Sequence, residues 1–403
     1  MNKHLAYDIV TFCKKTAIQE QGVTQMSQLT STLSQYWSTI QDTLFPWLQE
    51  ELDPFTIKQQ QLIEILELVR VEEFIPDYFG CEGRPQKARS AIARAFIAKM
   101  IYNIDTTTLL IERLKTDKNL RRICGWERIT QLPSESTFSR AFAEFAETGL
   151  PQQTHDALIQ KTLYNVVALH KSTDATAIEA REKPQAKIEQ PAPKKKGRPK
   201  KGTKRPKQEL TRIEQQLTMT LAEMLADLPI ECDRGAKRDS KGNVMYWTGY
   251  KLHLDTVDGD IPVSAIVTSA SVHDSQVAIP LATLSARKIV NCYDLMDSAY
   301  DVPGIFKYSY SLKHKPIIDQ NPRGDKALSE SLEAEQCARK TLHWNPAEQI
   351  RYNARSAAER VNSRLKDEFG ARKIRVRGHA KVACHLMFGV LVLAADQIMK
   401  LVT

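Results

Sequence analysis

The stretch from Tyr352 to Lys366, YNARSAAERVNSRLK, constrains the fold of this chain of 403 residues more than any other segment. On an α-helix, which turns about 100° per residue, four polar residues fall within roughly 60° of one another: Tyr352, Arg355, Glu359 and Lys366. The opposite side is apolar and consists of Ala354, Ala357, Ala358, Val361 and Leu365. This pattern predicts a helix whose back packs on a core and whose front presents a functional site. The alternative is a solvated amphipathic helix whose Arg355–Glu359 pair contributes a few tenths of a kcal/mol.

The spacing of the polar residues resembles the YREK signature of insertion-sequence transposases with an RNase H-like catalytic domain. Two residues separate Tyr352 from Arg355, three separate Arg355 from Glu359, and six separate Glu359 from Lys366. The resemblance implies that two aspartates act together with Glu359. It also implies that Tyr352, Arg355 and Lys366 hold phosphates or the terminal nucleotides of a cleaved DNA end.

The first of these aspartates is predicted in a strand that follows the helical region. Residues Val166 to Ile178 have the alternating, β-branched character of a strand, and Asp174 lies in its middle. A carboxylate in a half-buried strand is costly without partners, so it is usually paired or functional. The segment resembles the first catalytic strand of the family, and the alternative is a surface aspartate on an edge strand.

The second aspartate is predicted where a short apolar run, Ile289 to Asp297, ends in an acid. Open α/β sheets usually form their sites at the carboxyl ends of buried strands, and Asp297 also matches the second aspartate of the family. Asp294 and Asp301 are the competing choices. Strand alternation turns Asp294 to the opposite face, and Asp301 lies beyond the strand.

The remaining elements complete a recognisable order. Tyr246 to Val267 predicts a hairpin, Lys315 to Asp319 a further strand, and Leu210 to Leu228 a helix. Asp274 or Ser275 is expected to cap a helix that starts near Gln276, so neither Asp274 nor His273 is assigned to catalysis.

This order predicts an α+β or α/β chain with two domains. The first, at residues 1–165, is a helical domain that binds DNA ends. The second, at residues 166–403, is an RNase H-like mixed-sheet catalytic domain with an insertion after its first strand.

The insertion, at about residues 182–209, is rich in Pro and Lys and is expected to be disordered in isolation. Residues 194–207 carry nine cations and no acid, which equals the net charge of the whole chain, 57 minus 48 or +9. Such a run predicts a polyanionic partner. Gly197, Arg198 and Pro199 look like the core of an AT-hook, but a non-specific phosphate-binding tether explains the lysines equally well. Arg198 and Lys200 are the predicted DNA contacts here.

The N-terminal 165 residues show helical periodicity throughout. A short capped helix, Ser136 to Ala146, is a candidate for entering a DNA groove, with Phe138, Phe142 and Phe145 as its core face. Four basic residues nearby support this interpretation: Arg84, Lys87, Arg89 and Arg94. The region looks like the N-terminal domain common ahead of this catalytic domain, and the alternative is a plain helical bundle.

The predicted chemistry is phosphoryl transfer. Asp174, Asp297 and Glu359 offer hard oxygen ligands that suit Mg²⁺ or Mn²⁺, and two such ions about 4 Å apart can activate a nucleophile and stabilise the leaving oxygen. Beyond the signature, Arg372, Lys373, Arg375 and Arg377 surround Ile374 and Val376. They form either a DNA-backbone track beside the site or a solvated basic strand.

Other features narrow the class of protein. The seven scattered cysteines predict reduced thiols, with neither a disulfide framework nor a zinc knuckle. The N-terminus has no apolar core of signal-peptide length. The most apolar stretch, Val382 to Ala395, is shorter than the roughly 20 residues of a membrane span, so a buried terminal helix is expected.

We therefore expect a bacterial, cytoplasmic transposase that is nucleoid-associated when bound to DNA. It would bind the inverted-repeat ends of its element, cleave them in a metal-dependent reaction and transfer the exposed 3′-hydroxyl. A homodimer on DNA is expected because two ends must meet. The alternatives are a domesticated, non-catalytic DNA-binding protein, against which the three acids and signature cations argue, and a metal-dependent nuclease without strand transfer.

Overall fold

The computed structural model describes residue 30 and residues 54–76, 88–185, 210–238 and 243–402. Its helices are α1 (Ile57–Val69), α2 (Arg89–Ile101), α3 (Thr107–Thr116), α4 (Lys118–Cys124), α5 (Glu135–Thr148), α6 (Leu150–Leu163), α7 (Arg212–Gln216), α8 (Leu221–Asp227), α9 (Ser275–Ala286), α10 (Pro303–Ser311), α11 (Lys326–Leu342), α12 (Ala347–Tyr352), α13 (Ser356–Asp367) and α14 (His379–Val402). Its strands are β1 (Val167–Glu179), β2 (Asp233–Arg238), β3 (Val244–Val257), β4 (Ile261–Ser269), β5 (Val290–Met296) and β6 (Lys315–Ile318). Short 3-10 turns lie at Val71–Phe74, Ile129–Gln131, Ser298–Tyr300 and Asn353–Arg355.

The strands form one mixed sheet in the order β2-β3-β1-β5-β6, and β4 also pairs with β3. The ladders β1–β3, β2–β3 and β3–β4 are antiparallel, whereas β1–β5 and β5–β6 are parallel. The predicted hairpin is confirmed, since β3 and β4 pair from Val257 with Ile261 outward. The predicted fold class, a helical region followed by a mixed sheet with helices, is confirmed as well.

Helices cover both faces of this sheet. Successive residues of β4 point to opposite faces and so pack against different helices. Val267 belongs to the large core that contains α14 and the N-terminal helices, whereas Ile266 packs with Val277 and Leu281 of α9. The sheet is therefore the middle layer between α9 on one side and α13 and α14 on the other.

An aromatic cluster joins the N-terminal helices to α14. The ring of Phe388 lies 5.8 Å from Phe96, 6.3 Å from Phe142 and 6.5 Å from Phe145. The predicted core role of the phenylalanines on α5 is confirmed, because Phe138, Phe142 and Phe145 are all buried. The described helices of residues 54–76 and 88–163 thus share one core with the last helix, and the boundary at residue 165 stays a prediction.

Among the described residues, α14 is the helix that has the length and composition of a membrane span. However, 89% of its apolar window is buried inside the protein, against α6, α1, α2, α5 and β4. The predicted buried terminal helix is therefore confirmed.

Two elements outside the candidate site differ from the sequence-based expectation. The helix predicted at residues 210–228 is two short helices, because Thr218 bonds back to the carbonyl of Gln215 and Thr220 starts α8 with a capping box to Glu223. Strand β2, which lies on the edge of β3, was not predicted because its residues, DRGAKR, are polar and lack β-branched character.

Candidate active site

The parallel pairing of β1 with β5 brings Asp174 and Asp297 level with each other. Ser172 pairs with Leu295 in this ladder, and continuing the register by two residues places Asp174 opposite Asp297. Neighbouring strands lie about 4.8 Å apart, and residues in register point to the same face. Asp297 follows directly after the end of β5, where its carboxylate accepts a hydrogen bond from the backbone N–H of Ala299 at 2.9 Å.

The electrostatics of the two aspartates show how crowded the site is. Burial raises the pKa of Asp174, and the charge of Asp297 raises it further. Burial also raises the pKa of Asp297, to which the charge of Asp274 adds. Both carboxylates are therefore destabilised in their ionised forms, an effect that a nearby positive charge opposes.

The opposite face of the same strands carries a buried ionic network. The Lys171 ammonium lies 3.1 Å from Asp255 Oδ2 and 3.3 Å from Asp294 Oδ1, and all three side chains are almost completely buried. Although burial opposes its ionisation, the charge of Lys171 holds the pKa of Asp294 well below its usual range. Asp294 therefore lies on the face opposite Asp297, as alternation predicted, and belongs to this buried network. The third choice, Asp301, accepts a hydrogen bond from the Asn321 backbone N–H at 2.9 Å in the loop beyond the strand.

The predicted continuous helix from Tyr352 to Lys366 is wrong in one respect, because a 3-10 turn at Asn353–Arg355 separates α12 from α13. Two serine hydroxyls donate hydrogen bonds to backbone carbonyls of this turn. Ser356 donates to Asn353 O at 3.0 Å, and Ser172 of β1 donates to Ala354 O at 3.3 Å. These bonds favour the tighter turn over a continuing helical ladder. The apolar back of α13 is buried as predicted, with Ala357, Ala358, Val361 and Leu365.

Glu359 projects from the first turn of α13, where Arg355 donates a hydrogen bond to it at 2.6 Å. The Glu359 side chain is 55% exposed, and the guanidinium of Arg355 lies 5.6 Å from the centre of the Tyr352 ring. Among the described residues, no three His, Cys, Asp or Glu side chains converge on a point that could hold a metal ion. The structure thus brings Asp174 and Asp297 together and leaves the Glu359 carboxylate on Arg355.

Asn362, one helical turn after Glu359, makes a contact that sequence reasoning missed. Its side-chain N–H donates to Asp174 Oδ2 at 2.9 Å, while its own Oδ1 is buried and has no hydrogen-bond partner among the described residues. The signal for this contact was its position three residues beyond Glu359, on a neighbouring part of the helix surface.

Asp274 is the residue before α9, as predicted, but its side chain makes no capping hydrogen bond. It instead binds the ammonium of Lys251 at 2.8 Å. Its charge acts on Asp297, so the acid belongs to the surroundings of the site. Lys237 on β2 belongs there too. Burial raises the pKa of both Asp174 and Asp297, and the positive charge of Lys237 offsets part of that rise. It was missed together with its strand.

The predicted DNA-contacting residues lie around this centre. Burial raises the pKa of Tyr352, and a hydrogen bond with Asp319 adds to the effect. Lys366 is half-buried at the end of α13, where burial and then the charges of Arg372 and Lys237 lower its pKa.

The basic segment after α13 is not a strand, but exposed cations flank the buried side chain of Ile374. Arg372 pairs with Asp367, and Arg377 Nε donates to the Arg181 carbonyl at 3.1 Å, whereas Arg375 is exposed. Arg198 and Lys200 fall outside the described residues.

Comparison with known protein families decides the class. The family described as Transposase DDE domain matches residues 168–394, which is more than half of the chain and contains all three predicted acids. The chain belongs to the DDE transposases. A second family, Transposase domain (DUF772), matches residues 50–144 of this transposase. No curated protein and no solved structure matches it.

Membership in this family establishes several of the predictions at a coarse level. The transposase is an insertion-sequence DDE transposase with an RNase H-like α+β catalytic region, and its partner is DNA. The family points to polynucleotidyl transfer and typically uses a divalent metal.

Proposed function

We propose that this transposase binds the inverted-repeat ends of its element, cleaves them in a reaction that depends on a divalent metal, and transfers the 3′-hydroxyl to target DNA. The observation that carries the proposal is the level placement of Asp174 and Asp297 on the sheet face covered by α13. Two carboxylates whose ionised forms are both destabilised fit a cationic cofactor better than a structural role.

The donor set fits Mg²⁺ or Mn²⁺. Carboxylate oxygens of Asp174 and Asp297 and the unpartnered amide oxygen of Asn362 are hard ligands of the kind these ions prefer. When bound, two such ions would activate the attacking hydroxyl and stabilise the leaving oxygen in an in-line displacement.

Glu359 is the third proposed metal ligand, and in this structure it is bound to Arg355. Its carboxylate has to release Arg355 to reach the two aspartates. The guanidinium of Arg355 is then available for a phosphate oxygen, for which its two-pronged donor geometry is suited.

The surrounding cations would hold DNA. Tyr352, Arg355 and Lys366 are assigned to the cleaved end, and Arg372, Arg375 and Arg377 to the backbone beside it. Arg198 and Lys200 of the basic insert are assigned to non-specific contact. We further propose an end-binding domain at residues 1–165, a catalytic domain at 166–403, a homodimer on DNA and a cytoplasmic, nucleoid-associated location.

The first test compares wild type with Glu359→Gln on a labelled duplex taken from the DNA that flanks the gene. Wild type is expected to nick at an inverted-repeat terminus and to join it to target with Mg²⁺, whereas the variant does neither but still binds the DNA. The expected loss is about 10³-fold or more, as for other residues that act as one catalytic unit.

Glu348→Gln is the matched control, because Glu348 is an exposed glutamate on α12 that pairs with Lys315. It should cut and join like wild type. If wild type binds the ends but cuts with neither Mg²⁺ nor Mn²⁺, the protein is a non-catalytic DNA-binding protein. If it cuts without joining, it is a nuclease.

A second test concerns Asn362. Because its amide orients Asp174 through a bond of 2.9 Å, Asn362→Ala is expected to weaken Mn²⁺ binding and DNA cleavage about 10- to 100-fold, the usual cost of losing a residue that orients a metal ligand. Mn²⁺ affinity is measured by electron paramagnetic resonance on the protein without DNA. Ser363→Ala, which removes only an exposed bond to Asp367, is the control. Unchanged Mn²⁺ affinity in Asn362→Ala would remove this role.

A further inference from the structure

A cleft of about 540 Å³ lies between the N-terminal helices and the end of α13. One wall is the turn after α2 together with α3, and the other is the end of α13 with the segment after it. Six charged residues line it: Asp105, Arg113, Lys366, Asp367, Arg372 and Lys373. It adjoins the candidate active site, because Lys366 lies four residues after Asn362 on α13, and Asn362 binds Asp174 at 2.9 Å.

Positive charge is in excess inside the cleft, with four cations against two acids. Both acids already have partners, because Arg372 pairs with Asp367 and Lys373 Nζ lies 2.8 Å from Asp105. Lys366 makes no hydrogen bond or ion pair with the described residues, and burial, followed by the charges of Arg372 and Lys237, lowers its pKa. An anion in the cleft would relieve this crowding.

Arg113 is the contribution of the N-terminal region to this charge. Its side chain is 53% exposed and lies 3.4 Å from the largely buried Asp117, and its guanidinium lies 5.7 Å from the centre of the Tyr102 ring. The aromatic contact and the ion pair hold the guanidinium at the cleft while leaving donors for a further partner.

A hydrogen bond joins the two walls of the cleft. Asn103, in a left-handed backbone conformation with φ of 49°, donates its side-chain N–H to the Asp367 carbonyl at 2.9 Å. This bond connects the turn after α2 to the end of the helix that carries Glu359.

The helix that the sequence suggested for groove binding is less suited to DNA. Helix α5 carries one cation, Arg140, and three acids, Glu135, Glu144 and Glu147. Two nearby cations that were expected to contact DNA form ion pairs within the protein instead. Arg89 pairs with Glu144 at 2.8 Å, and Arg94 pairs with Glu72 at 3.1 Å. Among the described N-terminal residues, Arg113 is the cation that lines the cleft, and its side chain is exposed.

We propose that this cleft binds phosphodiester groups of the DNA strand held at the acids, with Arg113 as a contact from the N-terminal region. The proposal rests on the proposed function and adds to it that both regions of the chain grip the same strand. Phosphate contacts of this kind fix the register of a protein on DNA without reading sequence.

The test measures DNA affinity against salt concentration for Arg113→Ala, Arg113→Lys and Lys115→Ala in the full chain that also carries Glu359→Gln. Loss of one phosphate contact lowers the slope of log affinity against log salt by about 0.9. We expect this change, with an affinity loss of about 3- to 10-fold near 0.15 M salt, for Arg113→Ala. Arg113→Lys should keep the slope of the parent.

Lys115→Ala is the matched control, because Lys115 is exposed on the same helix but does not line the cleft. Equal slopes for Arg113→Ala, Lys115→Ala and the parent would overturn the cleft proposal. The result is independent of cleavage, so a protein that binds DNA but does not cut it would overturn the proposed function and leave the cleft proposal to be decided by these slopes.

Discussion

Asp174→Asn is expected to abolish DNA cleavage and, in the metal-free protein, to raise the thermal midpoint of unfolding at pH 7. The first effect follows from loss of a ligand charge and should reach about 10³-fold or more. The second follows from electrostatics, because burial and the charge of Asp297 oppose ionisation of Asp174. The amide has nearly the same shape and no charge, so it removes the repulsion without leaving a cavity.

The pH dependence of stability tests independently whether the charge of Asp174 destabilises the folded protein. The pKa of Asp174 is raised in the folded protein, so between its unfolded and folded values the folded state binds more protons than the unfolded state. The contribution of Asp174 to the free energy of unfolding therefore falls as pH rises through this window. The difference in midpoint between Asp174→Asn and wild type should accordingly be smaller near pH 4 than at pH 7.

Asp301→Asn serves as the comparison, because Asp301 was the competing aspartate beyond β5 and accepts a loop hydrogen bond instead. It should retain cleavage. Calorimetry then measures the thermal midpoint of each protein without metal and with Mn²⁺. Bound Mn²⁺ should raise the midpoint of wild type and leave that of Asp174→Asn nearly unchanged. A lower midpoint for metal-free Asp174→Asn would contradict the electrostatic account of the site.

The positions of Asp174 and Asp297 were predictable because strands impose a local period of two residues. Alternation predicted that Asp294 faces away from Asp297, and the structure places Asp294 on that opposite face, where it binds the buried Lys171. The back of α13 was predictable for the same kind of reason, since Ala357, Ala358 and Val361 recur with helical period.

What could not be predicted depends on partners far away in the chain. The break before α13 uses a hydroxyl 182 residues earlier, from Ser172, and the bond that orients Asp174 comes from Asn362, 188 residues later. The sequence around Asp274 predicted a helix cap, and only the fold shows that its carboxylate accepts a hydrogen bond from Lys251. Local pattern and the family resemblance thus pointed to the acids, whereas the groups that orient and neutralise them required the tertiary structure.

The buried network beneath the acids gives the largest expected effect on stability. Lys171→Met leaves Asp255 and Asp294 buried without their common cation, and breaking such a pair typically costs about 3 to 5 kcal/mol. Thr173, next to Asp174, also bonds Asp255, at 2.5 Å, so the network ties β1 to β3 and β5 beside the proposed site. We expect a loss of this size in the free energy of unfolding measured in urea.

Lys288→Met is the control for a buried lysine at another place in the fold. Its ammonium binds the Val263 carbonyl at 2.8 Å and Asp156 at 2.6 Å, but the Asp156 side chain is 34% exposed and can be solvated when the lysine is lost. The expected cost is therefore smaller, about 1 to 3 kcal/mol. Equal losses for the two variants would show that Lys171 has no special role.

The pH dependence of Lys171→Met separates an ionic role from a packing role. The folded pKa of Asp294 is depressed by Lys171, so its contribution to stability is present above the unfolded pKa of about 3.9 and is lost as pH falls through the folded value. His314 Nδ1, 3.3 Å from Asp294 Oδ2, also faces this carboxylate and stays in place in the variant. The stability difference between wild type and Lys171→Met should shrink in acid, and adding Asp255→Asn and Asp294→Asn should recover much of the loss at pH 7. A difference that stays constant with pH, and that the two added amides do not reduce, would mean that the methylene stem of Lys171 matters for packing and its charge does not.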